Sequence, residues 1–372
     1  MVINNKNAMK QTYKLAGYSY STEESLEARN NGKLLCLRLD TNYNCNLRCA
    51  YCYSYSDSKV KMEPMSLEDV KGIIDQACEL GLKSIVYLGG GEPTMYPDFI
   101  PLVEYMHSKN VIPVIFTNGL LMTESLAKKL YDLNASVIVK FDGFEETQNI
   151  LTGKGTFTKI RSALEILMNT GFNKRTENNV TRLGAAPCIC TTNYHEIPEI
   201  WRYLRDNFIF PDFERATVVG NATDSLAISE EQVYQLLNNL MKIDSDEFNI
   251  KWDSPYTSIP GHSCNIFQSG CHITATQEVS LCPEIPPVAS LKDKSLKEIL
   301  NAPPFKETRY LEKYITEPCA SCEYMKECFG GCRSKAYYCK GSLFAEDPYC
   351  IIANSKLDEE MKKLYGVKET VK

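Results

Sequence analysis

Three cysteines stand close together in the stretch TNYNCNLRCAYCY: Cys45, Cys49 and Cys52. Thiolates are natural ligands of iron–sulfur clusters, and a 4Fe–4S cubane usually takes one per iron. Three thiolates from one loop leave one iron without a protein ligand. An open coordination position separates a chemical site from a structural one, by the logic that holds for zinc. Nine further cysteines lie between Cys264 and Cys350, and only Cys36, Cys78, Cys188 and Cys190 lie elsewhere. Sixteen cysteines in a chain read as cytosolic argue for metal rather than disulfides. Histidine is scarce at four residues, which works against a histidine-rich zinc hydrolase.

The elements that must position these thiols can be read from periodicity. LLCLRLD (34–40), KSIVYLGG (83–90), VIPVIFTNG (111–119) and SVIVKFDG (136–143) read as strands, followed by TRLGAAPCICTT (181–192) and FERATVV (213–219). Helical stretches separate them. One begins at Ser66 with a Ser–x–x–Asp start, and a last one carries Ser229 and Gln232 as a capping pair. About six β-then-α units imply a parallel sheet, an α/β fold. Six units are two short of a closed eight-fold barrel, so an open, partial (β/α)6 barrel is expected. CxxxCxxC follows the first strand, GGGEP the second, TNG the third and KFDG the fourth, all at one edge of the sheet.

The chain has 372 residues and a formal charge of −6, from 41 basic and 47 acidic side chains spread along it. That balance gives no support to nucleic acid as a partner. There is no apolar run of the roughly 18 residues a membrane span needs. The N-terminus lacks an apolar signal core. A cytoplasmic protein with no membrane partner is expected.

CxxxCxxC, with the aromatic Tyr51 before its last cysteine, resembles the signature of the radical SAM enzymes. There the fourth iron is chelated by S-adenosylmethionine (SAM), which one electron cleaves to methionine and a 5′-deoxyadenosyl radical. Gly90, Gly91, Glu92 and Pro93 resemble the family's GGE motif, which implies a hydrogen bond to the SAM amino group; its glycines would let a ligand approach the backbone. Thr117, Asn118 and Asp142 end the third and fourth strands and could hold the SAM ribose or carboxylate, or serve as ordinary turn residues. Lys140 shares a strand face with Asp142 and could meet the SAM carboxylate. Cys188 and Cys190 alternate along the next run; Cys190 is a candidate hydrogen-atom donor or a small apolar filler.

Cys319, Cys322, Cys328 and Cys332 resemble the CxxCx5CxxxC core of the SPASM domain, the auxiliary-cluster extension of many radical SAM enzymes. Family ligation implies one cluster on Cys264, Cys271, Cys282 and Cys332. It implies a second on Cys319, Cys322, Cys328 and Cys350. With the SAM-binding cluster this makes three 4Fe–4S clusters. One departure stands out: the family usually has Gly where this chain has Gln277, which points to a remodelled turn. Cys339 is left over, as an inert residue, a hydrogen donor or a spare ligand. Glu284, two residues past Cys282, is a candidate base. The domains expected are an N-terminal extension (1–33), the partial barrel (34–245), a Cys-rich α+β SPASM domain (246–355) and a C-terminal helical tail (356–372).

The resemblance implies an oxidoreductase acting on an unactivated C–H bond, most often in a ribosomally made peptide, leaving a crosslink, thioether or dehydrogenation. An electron donor such as flavodoxin or ferredoxin is implied. The 33 residues before the first strand are too few for a peptide-recognition domain, so a separate peptide-presenting protein or a small-molecule substrate is expected. The alternatives are oxidation or epimerisation of a sugar or cyclitol, anaerobic sulfatase maturation, and outside enzymology an electron carrier or zinc-stabilised binding module. A carrier has no use for a vacant iron.

Overall fold

A computed structural model of the protein describes residues 10–54, 62–176, 178–252, 264 and 266–367. Its centre is a nine-stranded sheet. The strands are β1 (Cys36–Asn42), β2 (Ser84–Gly90), β3 (Ile112–Thr117), β4 (Ser136–Val139), β5 (Leu183–Ala185), β6 (Phe210–Pro211), β7 (Gly270–Ile273), β8 (Glu278–Ser280) and β9 (Ala289–Ser290). The spatial order is β6-β5-β4-β3-β2-β1-β7-β8-β9. β1 to β6 are parallel neighbours in sequence order, as repeated β/α units require. The sheet has two free edges, β6 and β9, so the barrel is partial. Parallel strands are covered on both faces and read as continuous apolar runs; all four residues of β4 are buried. Helices cover the outer face, with Leu37, Leu39, Ile85 and Val137 among the residues packed beneath them.

The caps read from sequence hold. Ser66 accepts from the Asp69 amide, and Ser229 with Gln232 forms a reciprocal capping box. The run 181–192 is not one strand. Pro187 lacks the N–H a ladder needs. β5 therefore stops at Ala185, and Cys188–Ile189 pairs instead with Glu214–Arg215 in a separate two-stranded ladder. The sixth sheet strand lies at 210–211, earlier than the expected 213–219. A helix at Glu145–Thr152 follows β4 and was not foreseen.

Residues 10–30, expected only as part of an N-terminal extension, form regular elements. Lys10–Gln11 pairs with Ile250–Lys251, and Lys14–Leu15 pairs with Val180–Thr181. Thr22–Asn30 is a helix with a Ser21/Glu24 capping box. The segment assigned to the second domain joins the same sheet: β7 is parallel to β1, and β8 and β9 continue antiparallel. The tail contains the helix Glu359–Tyr365, tied by Glu360 to Lys242 at 2.7 Å. Among the described residues no helix is long and apolar enough to cross a membrane.

The turn between β7 and β8 keeps a left-handed residue without glycine. Gln277 has φ +65°, and its amide donates to the Thr274 carbonyl at 2.9 Å. A side chain at that φ costs roughly 1–2 kcal/mol, against roughly 0.5–1 kcal/mol of extra chain entropy for glycine. Gln277→Gly is therefore expected to stabilise the protein by up to about 1 kcal/mol, read as a higher denaturant midpoint at unchanged slope.

Candidate functional site

The loop carrying Cys45, Cys49 and Cys52 leaves β1 and is gripped from two sides. On one side the Gly91 amide donates to the Asn42 carbonyl and the Glu92 amide to the Asn44 carbonyl, both at 2.8 Å. A methyl group on Gly91 would overlap the Asn44 carbonyl, and one on Gly90 (φ +76°) would lie 2.7 Å from the Asn42 oxygen. The close approach these glycines permit is made by the chain's own cysteine loop. On the other side Gly220 presses on the Cys52 carbonyl. Asn221 donates its amide to Cys52 O at 2.8 Å and its side chain to Cys49 O at 3.3 Å. Gly220 and Asn221 were missed from sequence; a Gly-Asn pair after an apolar run reads only as a turn.

Glu92 is 2% exposed and gathers the strand ends. Its carboxylate accepts from Thr117 Oγ1 at 2.6 Å, Thr94 Oγ1 at 2.7 Å and the Asn118 amide at 2.8 Å. Burial pushes its carboxyl above the ordinary value, with these donors pulling the other way. Pro93 opens the short turn that follows. Asn118 reaches back to Asn46 in the cysteine loop, Nδ2 to Oδ1, at 2.7 Å. One buried carboxylate thus connects the ends of β2 and β3, and through Asn118 the cysteine loop.

Asp142 is fully buried and does not line the cavity described next. Its carboxylate accepts from the Tyr51 hydroxyl, and from the Cys188 amide at 2.8 Å. Lys140 stands 3.7 Å from Asp142 and lies over the Tyr51 ring at 5.1 Å. Asp142 therefore braces the cysteine loop from behind, while Lys140 faces the cavity.

That cavity opens at the C-terminal ends of the parallel strands. Cys45, Cys49 and Cys52 line one part of its wall, and Cys264, Cys282 and Cys332 line another. Burial first, then Asp142, raises the Cys49 thiol to about 12, and Cys52 and Cys45 stand near enough to add to the shift. Among the described residues no three Cys, His or carboxylate side chains close on a point as a single-ion site needs. A cubane takes one thiolate per iron at separate corners, so thiols spread along a cavity wall suit such a cluster. Cys319, Cys322, Cys328 and Cys350 lie outside the cavity. The Cys328 thiol feels Cys322 and Cys319, and the Cys350 thiol feels Cys328. Cys271 lines no part of the cavity: it is fully buried, and in the pairing of β7 with β1 it stands opposite Leu37 rather than Arg38.

The family model described as the radical SAM superfamily matches residues 40–204, and the SPASM model, an iron–sulfur cluster-binding domain, matches residues 264–323. This chain belongs to the radical SAM superfamily. The radical SAM/SPASM enzyme is 27% identical to the AdoMet-dependent heme synthase of Methanosarcina barkeri, over 84% of this chain and 95% of that protein. It is 29% identical to the mycofactocin maturase MftC of Mycolicibacterium smegmatis (85% and 82%) and 23% identical to the PqqA peptide cyclase of Granulibacter bethesdensis (85% and 87%). In fold it matches anSMEcpe with bound AdoMet at a TM-score of 0.69 and 20% identity, over 90% of this chain and 95% of that one. SAM and 4Fe–4S clusters are accordingly the cofactors of this radical SAM/SPASM enzyme.

Its three candidate catalytic side chains are placed very differently. Glu284 lines the cavity but is fully engaged. It accepts from Thr217 Oγ1 at 2.7 Å and from the Ser334 hydroxyl, with Lys335 Nζ at 3.9 Å. Burial alone would raise its carboxyl; Lys335, Ser334 and Thr217 together hold it below the usual carboxylate range. Cys190 is fully buried away from the cavity, whereas Cys188 lines it. The strand ends at Ile189 and the chain turns at Cys190, whose amide donates to Asn193 Oδ1 at 2.8 Å, so the alternation on which their shared face depended is lost. Cys339 is exposed and outside the cavity. Unforeseen from sequence is a group on the wall formed by Tyr18, Arg38 and Asp212. Tyr18 Oη donates to both Asp212 oxygens, at 3.0 and 3.1 Å. Burial first, then repulsion from Glu214, pushes the Asp212 carboxyl up to about 7. Arg38 in β1 has the period-2 position of a cavity residue, but nothing local marks Tyr18 or Asp212.

Proposed function

We propose that this enzyme oxidises a C–H bond of a ribosomally made peptide held between two cluster-binding walls of one cavity. The observation that carries the reading is the shared cavity itself, with Cys45, Cys49 and Cys52 on one wall and Cys264, Cys282 and Cys332 on another. Cys45, Cys49 and Cys52 hold the SAM-binding cluster, and Gly90, Gly91, Thr117, Asn118 and Lys140 border the SAM. When bound, that pair supplies a 5′-deoxyadenosyl radical for hydrogen abstraction. The chain's own part is placement: the Gly91 and Gly220 contacts fix the loop, and the walls exclude water.

A substrate between two redox sites can lose its second electron to the far one, which favours net oxidation. Oxidation also releases a proton. Asp212 faces the cavity, accepts from the Tyr18 hydroxyl and has its carboxyl raised to about 7, which suits a proton acceptor. Glu284, held by three partners, suits a positioning role near Cys282 and Cys332 instead. Cys319, Cys322, Cys328 and Cys350 hold an outer cluster, giving three clusters in all. Arg48, Lys154 and Lys159 line a shallow depression beside Cys45, a cationic face suited to an acidic electron donor of the flavodoxin or ferredoxin kind.

The peptide reading draws on the PqqA peptide cyclase, whose name states a peptide substrate, and on the mycofactocin maturase. The similarity to a heme synthase favours a second substrate class, an iron porphyrin. Anaerobic incubation with SAM, reductant and either a short peptide encoded beside the gene or an iron porphyrin decides between them by mass spectrometry. A mass loss of hydrogen from the peptide supports the first reading; a modified porphyrin with an unchanged peptide overturns it. Cys322→Ala is expected to keep SAM cleavage but lower product formation at least about tenfold, by analogy with the cost of disturbing a metal's surroundings. Full product formation in that variant removes the outer cluster from the electron route.

A further inference from the structure

A row of buried polar side chains joins β1 to the segment that carries Cys282. His272 Nε2 lies 3.0 Å from Asp40 Oδ2, and His272 Nδ1 lies 2.9 Å from Ser280 Oγ. The Ser280 hydroxyl donates to the Cys282 carbonyl at 3.0 Å. All three side chains are buried, and none lines the cavity. A hydroxyl has one proton, and here the Cys282 carbonyl receives it, so the ring must donate to Ser280 through Nδ1. Nε2 then meets the Asp40 carboxyl with a proton held between them.

The row lies where the backbone ladder gives out. The pairing of β7 with β1 ends at Ile273 and Leu39, one residue short of Asp40. On the other flank of β1, the pairing with β2 shifts register on both sides of Asp40. Gly90 packs against it there: a methyl group on Gly90 would lie 3.2 Å from Asp40 Cβ. The His272–Asp40 contact thus carries the connection from β7 onward to the end of β1, from which the cysteine loop leaves. At the other end of the row, Ser280 closes β8 and stands opposite His272 in the antiparallel pair. An apolar row of equal volume would fill this space but could slide. The hydrogen-bonded row accepts one register, because a one-residue slip of β7 would turn His272 to the opposite face.

Resting on the cluster assignment proposed above, we propose that Asp40, His272 and Ser280 are positioning residues that set the separation between the SAM-binding cluster and the auxiliary cluster across the cavity. Asp40 fixes the strand end that feeds Cys45, Cys49 and Cys52. Ser280 fixes the Cys282 carbonyl, and His272 joins the two. The row lines no part of the cavity, so it acts only through the two loops it ties together. A substrate that meets a radical at one wall and gives an electron to the other needs both walls at fixed distances. A misplacement of about 1 Å by a group remote from the chemistry can cost about 100-fold in rate.

The test uses the full chain with Cys322→Ala, purified anaerobically so that the outer cluster is absent and two clusters remain. About eight irons per chain are expected. Pulsed dipolar electron paramagnetic resonance of the dithionite-reduced protein then reads one narrow distance between the two clusters. Adding His272→Leu, which is close in volume but cuts the row, is expected to shift or broaden that distance by about 1 Å or more, the scale on which placement governs rate. Iron content and circular dichroism should stay as in the parent. His272→Gln, which keeps a donor for Asp40, should hold the parent distance. Ser280→Ala, which frees the Cys282 carbonyl, should move it in the same sense as His272→Leu. An unchanged distance in iron-replete His272→Leu protein overturns the inference. So does a change in His272→Gln as large as in His272→Leu, because the hydrogen bonds then set nothing. If His272→Leu loses iron, Ser280→Ala decides alone, and an unchanged distance there overturns the inference. A parent protein with about four irons or fewer overturns instead the cluster assignment beneath it, and the inference with it.

Discussion

Cys49→Ala is expected to abolish 5′-deoxyadenosine formation while leaving about eight irons on the chain. Outer-shell partners of a metal typically cost about 10–100-fold when removed, so loss of a direct ligand should exceed that and fall below detection. The fold should survive. Cys49 is half-buried in a loop, and the backbone carbonyl that Asn221 engages remains in the variant. Liquid chromatography of the nucleoside, beside iron and sulfide counts, checks both halves. Continued nucleoside formation would show that Cys49 does not hold the SAM-binding cluster.

Gly91→Ala should be as damaging with a smaller chemical change. The added methyl would overlap the Asn44 carbonyl, which belongs to the backbone and cannot rotate away. Either the cysteine loop moves or the end of β2 does, and both are fixed by the 2.8 Å bonds to Asn42 and Asn44. Iron at the first site should fall, with roughly 2 kcal/mol or more lost in unfolding free energy, in the range of overpacking against a fixed neighbour. Gly72→Ala is the control. Gly72 lies in the helix Leu67–Glu79 with nothing near an added methyl, and alanine there should be neutral or stabilising by up to about 1 kcal/mol. If the two variants load iron alike, the contact with Asn44 does not hold the loop.

The sequence disclosed what is repeated or locally coded. Alternating apolar runs located β1 to β4, and Ser66 and Ser229 announced their helices through side-chain caps that need only three residues to form. The thiol spacing located the cavity, because a loop after β1 has one place to go. What failed depended on distant partners or on one interruption. The short strand Cys188–Ile189 ended in a turn at Cys190 within a run that looked continuous, so the cavity received the other cysteine of the pair. Cys271 sat at a reasonable interval from Cys264, but register with β1 sent it to the opposite face. Spacing carries no information about faces until a strand is identified, and the four residues of β7 are too few to show a period. Tyr18 and Asp212 meet across 194 positions of chain, which no local pattern can anticipate.

The lateral docking of β7 on β1 has a practical corollary. β1 is seven residues long, and β7 occupies the side that β2 leaves open. A chain ended at residue 245 would bare that rim, a row of unsatisfied amides and carbonyls flanked by Leu37 and Leu39. Bare rims of that kind recruit other copies and precipitate. The half that makes the radical is therefore not a detachable module, and swapping auxiliary halves between relatives would have to carry β7 with them.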